Sequence, residues 1–419
     1  MDKFIIEGGK KLKGEVQISG SKNAALPLIA ASLLAPGNHV LTNVPNLRDI
    51  TTMISLLKHL GANCSYDDAT LKIETDNIRG DDAPYDVVKT MRASVLVMGP
   101  LLSRLNHARI SLPGGCAIGA RPIDLHLKAL STMGADITLH DGIVEVRANR
   151  LIGSKIFFDK ITVTGTENIM MAATLADGTT VLENAAREPE VVDLAACLIK
   201  MGAKIEGAGT DTIMIDGVKE LRPLSYKVMP DRIEAATFMI AAAITDGDIT
   251  LKDAPIDCLD SVILRLRETG VKFEPIGNSI NVRGLEKPMG VNVVTSPYPG
   301  FATDVQAQFM ALMTIAEGAS VIKETIFENR FMHVAELNRM GANISIDGGT
   351  AVVKGVKGLI GAPVQATDLR ASASLVLAAL AANGTTEINR IYHLDRGYEG
   401  LEKKLKTMGA SIERVPEGV

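Results

Sequence analysis

Arg232-Ile233-Glu234-Ala235-Ala236-Thr237-Phe238-Met239-Ile240-Ala241-Ala242-Ala243, followed by Gly247-Asp248-Ile249-Thr250-Leu251-Lys252, is the stretch whose reading decides the fold. The first part is small and apolar nearly all round and predicts a buried helix. The second alternates and predicts a strand. Leu259, Val262, Ile263 and Leu266 then recur at helical spacing, and Thr269-Gly270-Val271 supplies the glycine with which many helices end. Two short strands around a turn, Val271–Glu274 and Ser279–Val282, complete the repeat. The closing phrase returns as Leu60-Gly61-Ala62, Met133-Gly134-Ala135, Met201-Gly202-Ala203, Met340-Gly341-Ala342 and Met408-Gly409-Ala410. Its glycines are separated by 73, 68, 68, 71 and 68 residues, the mark of one supersecondary element written six times. The fold class predicted is mixed α/β, built from six repeated β/α elements.

The sixth copy is short. Only Ser411–Val415 follows its glycine as a strand, whereas Phe4-Ile5-Ile6-Glu7-Gly8-Gly9-Lys10-Lys11-Leu12 reads like Ile213-Met214-Ile215-Asp216-Gly217-Val218-Lys219-Glu220-Leu221. Gly8 to Lys22 and Gly217 to Asp231 are both steps of 14 residues. Residues 1 to about 20 are therefore expected to complete the sixth repeat. The expected domains are residues 21–229, carrying repeats one to three, and residues 230–419 with 1–20, carrying repeats four to six. Such a chain crosses between domains twice, near residues 20 and 229, as a hinged clamp requires. Two independent lobes with no shared site would use the same connections.

Composition narrows the chemistry. Charged residues are 22% of the 419 and the net charge is −5, which argues against a nucleic-acid binder working by bulk electrostatics. Met1-Asp2-Lys3-Phe4-Ile5-Ile6-Glu7 has no apolar signal-peptide core. The longest apolar runs, such as Ala235–Thr245 and Ala371–Ala382, fall short of the ~20 residues a spanning helix needs. Cys64, Cys116, Cys197 and Cys258 form no CxxC pair and suggest neither a disulfide framework nor a zinc site. A soluble protein of a reducing cytoplasm is expected.

The small-residue helices begin with polar residues: Lys22-Asn23, Arg92, Lys160 to Thr166, Asp231-Arg232, Asp304 and Asp368-Leu369-Arg370. Capping accounts for Asn23, Asp231, Asp304 or Asp368 taken singly. It does not account for Lys22, Arg92 and Arg370, because a cation opposes the dipole at a helix start unless an anion bridges the two. Threefold repetition puts equivalent helix starts on one face of each domain. Two such faces would line a cleft ringed by Lys, Arg and Asp, and the ligand expected there carries phosphate and carboxylate groups. The loops between strand and second helix are polar as well, as in Pro45-Asn46-Leu47-Arg48-Asp49, Arg187-Glu188-Pro189-Glu190, Glu328-Asn329-Arg330 and Asp395-Arg396-Gly397. In the second repeat this loop is Leu112-Pro113-Gly114-Gly115-Cys116-Ala117-Ile118-Gly119-Ala120-Arg121-Pro122, whose extra length accounts for the gap of 73. It sets a thiol among glycines that tolerate unusual backbone conformations, close to a guanidinium that favours thiolate and anions. A glycine-rich turn with an incidental buried cysteine is the alternative.

Several of these segments resemble, in order, the UDP-N-acetylglucosamine 1-carboxyvinyltransferases, a family of enolpyruvyl transferases. They are Ser19-Gly20-Ser21-Lys22-Asn23-Ala24-Ala25-Leu26-Pro27, Leu112–Leu125, Gly300-Phe301-Ala302-Thr303-Asp304-Val305-Gln306-Ala307-Gln308, Phe327-Glu328-Asn329-Arg330-Phe331-Met332-His333, Asp368-Leu369-Arg370-Ala371-Ser372-Ala373-Ser374 and Tyr392-His393-Leu394-Asp395-Arg396-Gly397-Tyr398. The resemblance runs from Met1 to about Ser411. It implies a two-domain inside-out α/β barrel with three repeats per domain. The reaction it implies moves the enolpyruvyl group of phosphoenolpyruvate to the 3′-hydroxyl of UDP-N-acetylglucosamine. Phosphate leaves by addition then elimination, in the first committed step of peptidoglycan precursor synthesis. The implied partners are these two small molecules, with no cofactor, metal, nucleic acid or membrane; the oligomeric state stays open.

By the same resemblance Cys116 is the general acid and can form an adduct with phosphoenolpyruvate, and Asp304 is the base near the sugar hydroxyl. Lys22, Arg121 and Arg396 hold the phosphate or carboxylate of phosphoenolpyruvate, with Arg330 and Arg370 nearby, and Asn23 touches the intermediate or the sugar. Arg92, Arg121, Pro122, Ile123, Asp124, Leu125, Lys160, Ile161, Thr162, Val163, Gly165 and Ile326 hold the uridine and diphosphate. The bland readings are that Asp304 is only a cap, that Arg48, Asp49, Asp231 and Arg232 make interdomain ion pairs, and that Glu188 and Glu190 support a loop. One run departs from the family pattern. Where Val-Ser-Val-Gly-Ala-Thr is expected after Lys160, the chain has Ile161-Thr162-Val163-Thr164-Gly165-Thr166, with its glycine shifted by one. A cysteine rather than aspartate at 116 implies alkylation by the epoxide fosfomycin. Two rivals remain: the sister enzyme acting on shikimate 3-phosphate, and an idle nucleotide-sugar sensor on the same scaffold. Ser21-Lys22-Asn23 fits the first poorly, and a sensor needs no acid and base together.

Overall fold

The structure, a computed structural model, describes residues 2–89, 91–112 and 123–416. The six small-residue segments form helices α1 (Lys22–Ala31), α2 (Met98–Leu105), α3 (Val163–Ala173), α4 (Arg232–Ile244), α5 (Gln306–Met313) and α6 (Leu369–Ala381). They are buried nearly all round; every residue of α4 is covered. Short side chains let such helices pack closely, and α4, α5 and α6 contact one another as a trio. Three of the six start differently from the reading above; one is α5, which follows the 3-10 turn Thr303–Val305 with no side-chain cap. The cap of α1 is Ser21, whose hydroxyl accepts from the Ala24 amide, so Asn23 lies inside the first turn. Arg92 opens a 3-10 turn, Arg92–Val97, before α2 begins. Pro100 has no amide with which to bond the Leu96 carbonyl, so a helix running from Arg92 would lack that hydrogen bond.

Each repeat carries a second, amphipathic helix: Arg48–His59, Asp124–Thr132, Pro189–Met201, Asp260–Glu268, Val334–Arg339 and Leu401–Thr407. The recurring glycine follows every one, with φ between +88° and +109° at positions 61, 134, 202, 270, 341 and 409. That conformation is strained for any residue with a Cβ, which is why the phrase repeats.

Among the described residues the strands form six four-stranded sheets. In one, Lys155–Phe157 pairs in parallel with Thr179–Glu183, which pairs antiparallel with Thr212–Asp216, which in turn pairs with Lys204–Glu206. The sheets face outward and the helices inward, so strands alternate: Ile213 and Ile215 are buried while Met214 between them is exposed. The terminal strand Asp2–Glu7 lies between Thr385–Asn389 and Ser411–Pro416, with Phe4 opposite both Ile388 and Arg414.

By its internal contacts the chain divides between residues 19 and 20 and between 229 and 230. One lobe comprises residues 2–19 with 230–416. The other comprises the described residues from 20 to 229. Each has its own hydrophobic core. The strands that precede the two crossings stay behind. Lys13–Gln17, which leads into α1, pairs with Asp248–Lys252, and Ser225–Lys227, which leads into α4, pairs with Asn38–Thr42.

Candidate active site

In the lobe of residues 2–19 and 230–416, Asp304 lies in the 3-10 turn Thr303–Val305 that enters α5. The turn has no side-chain cap, so Asp304 is not spent on the helix. Its Oδ1 accepts from Arg330 Nη2 at 2.9 Å, and its Oδ2 from Arg370 Nε at 3.2 Å and Nη2 at 3.0 Å. The two guanidinium side chains are 5% and 3% exposed, the carboxylate 27%. Burial works against the Arg370 charge, but Asp304, Tyr398 and Asp231 together outweigh it and hold the guanidinium firmly protonated. Arg370 Nη1 is buried and has no hydrogen-bond partner among the described residues, a donor an anion could use.

The surroundings of Asp304 are braced from two sides. Glu324 takes hydrogen bonds from Thr303 Oγ1 at 2.9 Å and from the Ile326 amide at 2.8 Å, tying the Asp304 turn to the segment that carries Ile326 and Arg330. Asp368 caps α6 through the amides of Arg370 at 2.8 Å and Ala371 at 3.1 Å. Asp231 caps α4 in the same way. Arg396 ends the 3-10 turn Ile391–Arg396 and is half-buried. His333 is buried with neither ring nitrogen hydrogen-bonded among the described residues, and burial lowers its pKa to about 4.

In the lobe of residues 20 to 229, Lys22 Nζ lies 3.4 Å from Asp49 Oδ2 and Asn23 is half-buried beside it. Asp49 thus meets a cation of its own lobe. Arg92 stands close enough to His126 for its charge, after burial, to lower the histidine's pKa to about 4. Asn168 donates to His126 Nδ1 at 3.0 Å while accepting from the Gly99 amide at 2.8 Å; the Nε2–H then faces Thr164 Oγ1 at 3.4 Å. Ile123, Asp124 and Leu125 enter the helix Asp124–Thr132, with Asp124 exposed. Lys160 is exposed. Thr162 caps α3 by accepting from the Gly165 amide at 3.2 Å, and Val163 is the first helical residue. A Cβ at 165 would stand 2.3 Å from Thr162 Cγ2, so the shifted glycine is what the threonine cap requires. The Gly165 amide is thereby committed within the protein.

Cys116, Arg121 and Pro122 lie outside the described residues. Among the described residues no group of three or more His, Cys, Asp or Glu could hold a metal ion, and no helix is long and apolar enough to cross a membrane. Two acids escaped the sequence reading. Glu324 sits mid-chain in no motif. Glu167 is buried in the first turns of α3 and its Oε1 has no hydrogen-bond partner among the described residues; burial, then Glu190 and Glu188, push its pKa well above the carboxylate range. Nothing in a short polar segment such as Gly165-Thr166-Glu167 signals burial.

Known proteins with this architecture carry a common chemistry. The model of the EPSP synthase (3-phosphoshikimate 1-carboxyvinyltransferase) family matches residues 6–405. A UDP-N-acetylglucosamine 1-carboxyvinyltransferase of Geotalea daltonii is 62% identical over 417 residues, covering 100% of both chains. That of Caldanaerobacter subterraneus is 58% identical, over 98% of this chain and 99% of the relative. Among solved structures, the enolpyruvyl transferase NikO of Streptomyces tendae superposes with a TM-score of 0.89 at 28% identity over 99% of each chain. An EPSP synthase of Acinetobacter baumannii shares the fold with a TM-score of 0.77 at 20% identity over 99% of this chain and 100% of its own. The chain is therefore a member of the enolpyruvyl transferase family, in the branch of the UDP-N-acetylglucosamine 1-carboxyvinyltransferases.

Proposed function

We propose that this enzyme transfers the enolpyruvyl group of phosphoenolpyruvate to the 3′-hydroxyl of UDP-N-acetylglucosamine in the cytoplasm, opening peptidoglycan precursor synthesis. The observation that carries the roles is the Asp304 carboxylate held by Arg330 and Arg370 at a helix entrance it does not cap. A carboxylate oriented by three hydrogen bonds suits proton removal from a hydroxyl, and the buried Arg370 Nη1 suits an anionic co-substrate.

In the addition step the Cys116 thiol gives its proton to the methylene carbon, the sugar oxygen bonds to the central carbon, and Asp304 takes the hydroxyl proton. Elimination breaks the bond to the phosphate oxygen and returns a methyl proton to the enzyme, restoring the vinyl group. Lys22, Arg121 and Arg396, with Arg330 and Arg370, offset the charge of phosphoenolpyruvate. Asn23 meets the intermediate or the sugar. Arg92, Ile123–Leu125, Lys160, Thr162, Val163 and Ile326 receive the nucleotide.

A phosphate-release assay tests the proposal: phosphoenolpyruvate with UDP-N-acetylglucosamine releases phosphate, and either alone does not. Release with shikimate 3-phosphate instead overturns it. Cys116→Ser is expected to lower kcat ~10²–10⁴-fold, as loss of a general acid does, while nucleotide-sugar affinity changes little. Fosfomycin is expected to add to Cys116, read as an adduct by intact mass that Cys116→Asp abolishes.

A further inference from the structure

Tyr398 closes the segment Tyr392–Tyr398 and has no part in the steps above. It is 2% exposed. Its hydroxyl lies 2.8 Å from Thr237 Oγ1 on α4 and 3.0 Å from Gln308 Nε2 on α5. With the Thr237 proton on the Ile233 carbonyl at 2.8 Å, the phenol donates to Thr237 and accepts from Gln308, whose Nε2 also lies 3.3 Å from Thr237 Oγ1. The second Gln308 proton goes to the Asp304 carbonyl oxygen at 2.9 Å. On the other side, the Arg370 guanidinium carbon stands 5.4 Å from the Tyr398 ring centroid, within cation–π range. Two paths therefore run from one phenol to one aspartate. The first passes through Gln308 to the Asp304 backbone. The second passes through Arg370 to the Asp304 carboxylate.

We infer that Tyr398, with Gln308 and Thr237, is a positioning residue that sets the Asp304 carboxylate for proton removal; this rests on the reading of Asp304 as the base. The directions of the bonds make the network specific. Gln308 cannot flip, because its carbonyl would then face the Asp304 carbonyl. The phenol sits between Thr237 and Gln308 and bonds to both. Removing the hydroxyl frees Gln308 and, through it, the turn that carries Asp304, while every group that meets the substrates is left in place. A misplacement of about 1 Å costs ~10²-fold in rate, so a looser turn is expected to cost about 10-fold.

The test measures kcat, both KM values and Tm for Tyr398→Phe. The expected result is a kcat about 10-fold lower, with the KM for UDP-N-acetylglucosamine within two-fold and Tm nearly unchanged. A cycle with Asp304→Glu, which keeps a carboxylate but displaces it, adds a readout a structural role would not move: Tyr398→Phe then costs less than two-fold. Unchanged kcat, or the same factor in both backgrounds, overturns the inference. Should Tyr398→Phe not fold, Thr237→Val keeps the phenol and removes its Thr237 partner, together with the Thr237 bond to the Ile233 carbonyl, and is read by the same measures. Wild-type protein that releases no phosphate from the two substrates fails the functional reading instead, so the two failures are distinct.

Discussion

The entrance to α5 and the entrance to α1 are the same point of two repeats, yet they are built differently. At α5 a carboxylate takes three hydrogen bonds of 2.9–3.2 Å from two buried arginines. At α1 a lysine meets a buried aspartate at 3.4 Å, the long end for a charged pair. Planar guanidinium forks fix a carboxylate in direction, whereas an ammonium on a four-carbon stem is a point charge that can swing. The first arrangement suits a group whose lone pair must be aimed, the second a cation that follows an arriving anion.

The sharpest way to break this contrast is Asp304→Asn, expected to lower kcat ~10²–10⁴-fold with little change in KM for UDP-N-acetylglucosamine. A kcat within five-fold of wild type would sink the assignment. Arg370→Lys turns the fork into a point charge and is expected to cost at least about 10-fold in kcat, since two aimed hydrogen bonds of the clasp go with it. Lys22→Arg makes the reverse exchange; if the two losses match, geometry at α5 is no more demanding than charge at α1.

Stability sharpens the comparison further. Asp304→Ala leaves two buried guanidinium groups without their counter-charge, a situation that typically costs ~3–5 kcal/mol. Denaturant titration should show a larger loss than for Asp49→Ala. Thr162→Ala removes the cap of α3 and should cost about 1 kcal/mol, with a weaker KM for the nucleotide sugar and kcat nearly intact.

The smallest effect is a pH slope. Glu167 takes up its proton more readily folded than unfolded, so its contribution to stability is present below the ordinary carboxylate pKa and lost as pH rises from there. Glu167→Gln should remove that loss: its unfolding midpoint should gain on wild type as pH rises. His126 and His333, lowered to about 4, act oppositely. Their neutral forms stabilise the fold above about 6.5, and that contribution is lost as pH falls toward 4. A variant that gains nothing on raising the pH would remove Glu167 as a buried acid.

Local signals carried much of this. The six closing glycines could be read because a left-handed backbone leaves few residue types to choose from, and all six adopt it. The polar helix starts could be read because they break an apolar run. The cap of α1 was misplaced by two residues because Ser21 and Asn23 are both good caps and only the backbone angle chooses between them. The threonine cap of α3 explains a glycine that looked displaced, because a Cβ at 165 would stand 2.3 Å from Thr162 Cγ2, which no residue pattern displays.

By itself the order of residues determined the six-fold α/β repeat and the buried character of the small-residue helices, since each follows from periodicity within a few turns of chain. Only the tertiary structure decided that Arg330 and Arg370, 26 and 66 residues away, donate to Asp304, and that Tyr398, 90 residues beyond Gln308, contacts both Gln308 and Arg370. Hydrogen bonds reach about 3 Å in space whatever their separation in the chain, so partners of this kind exist only once the repeats have packed.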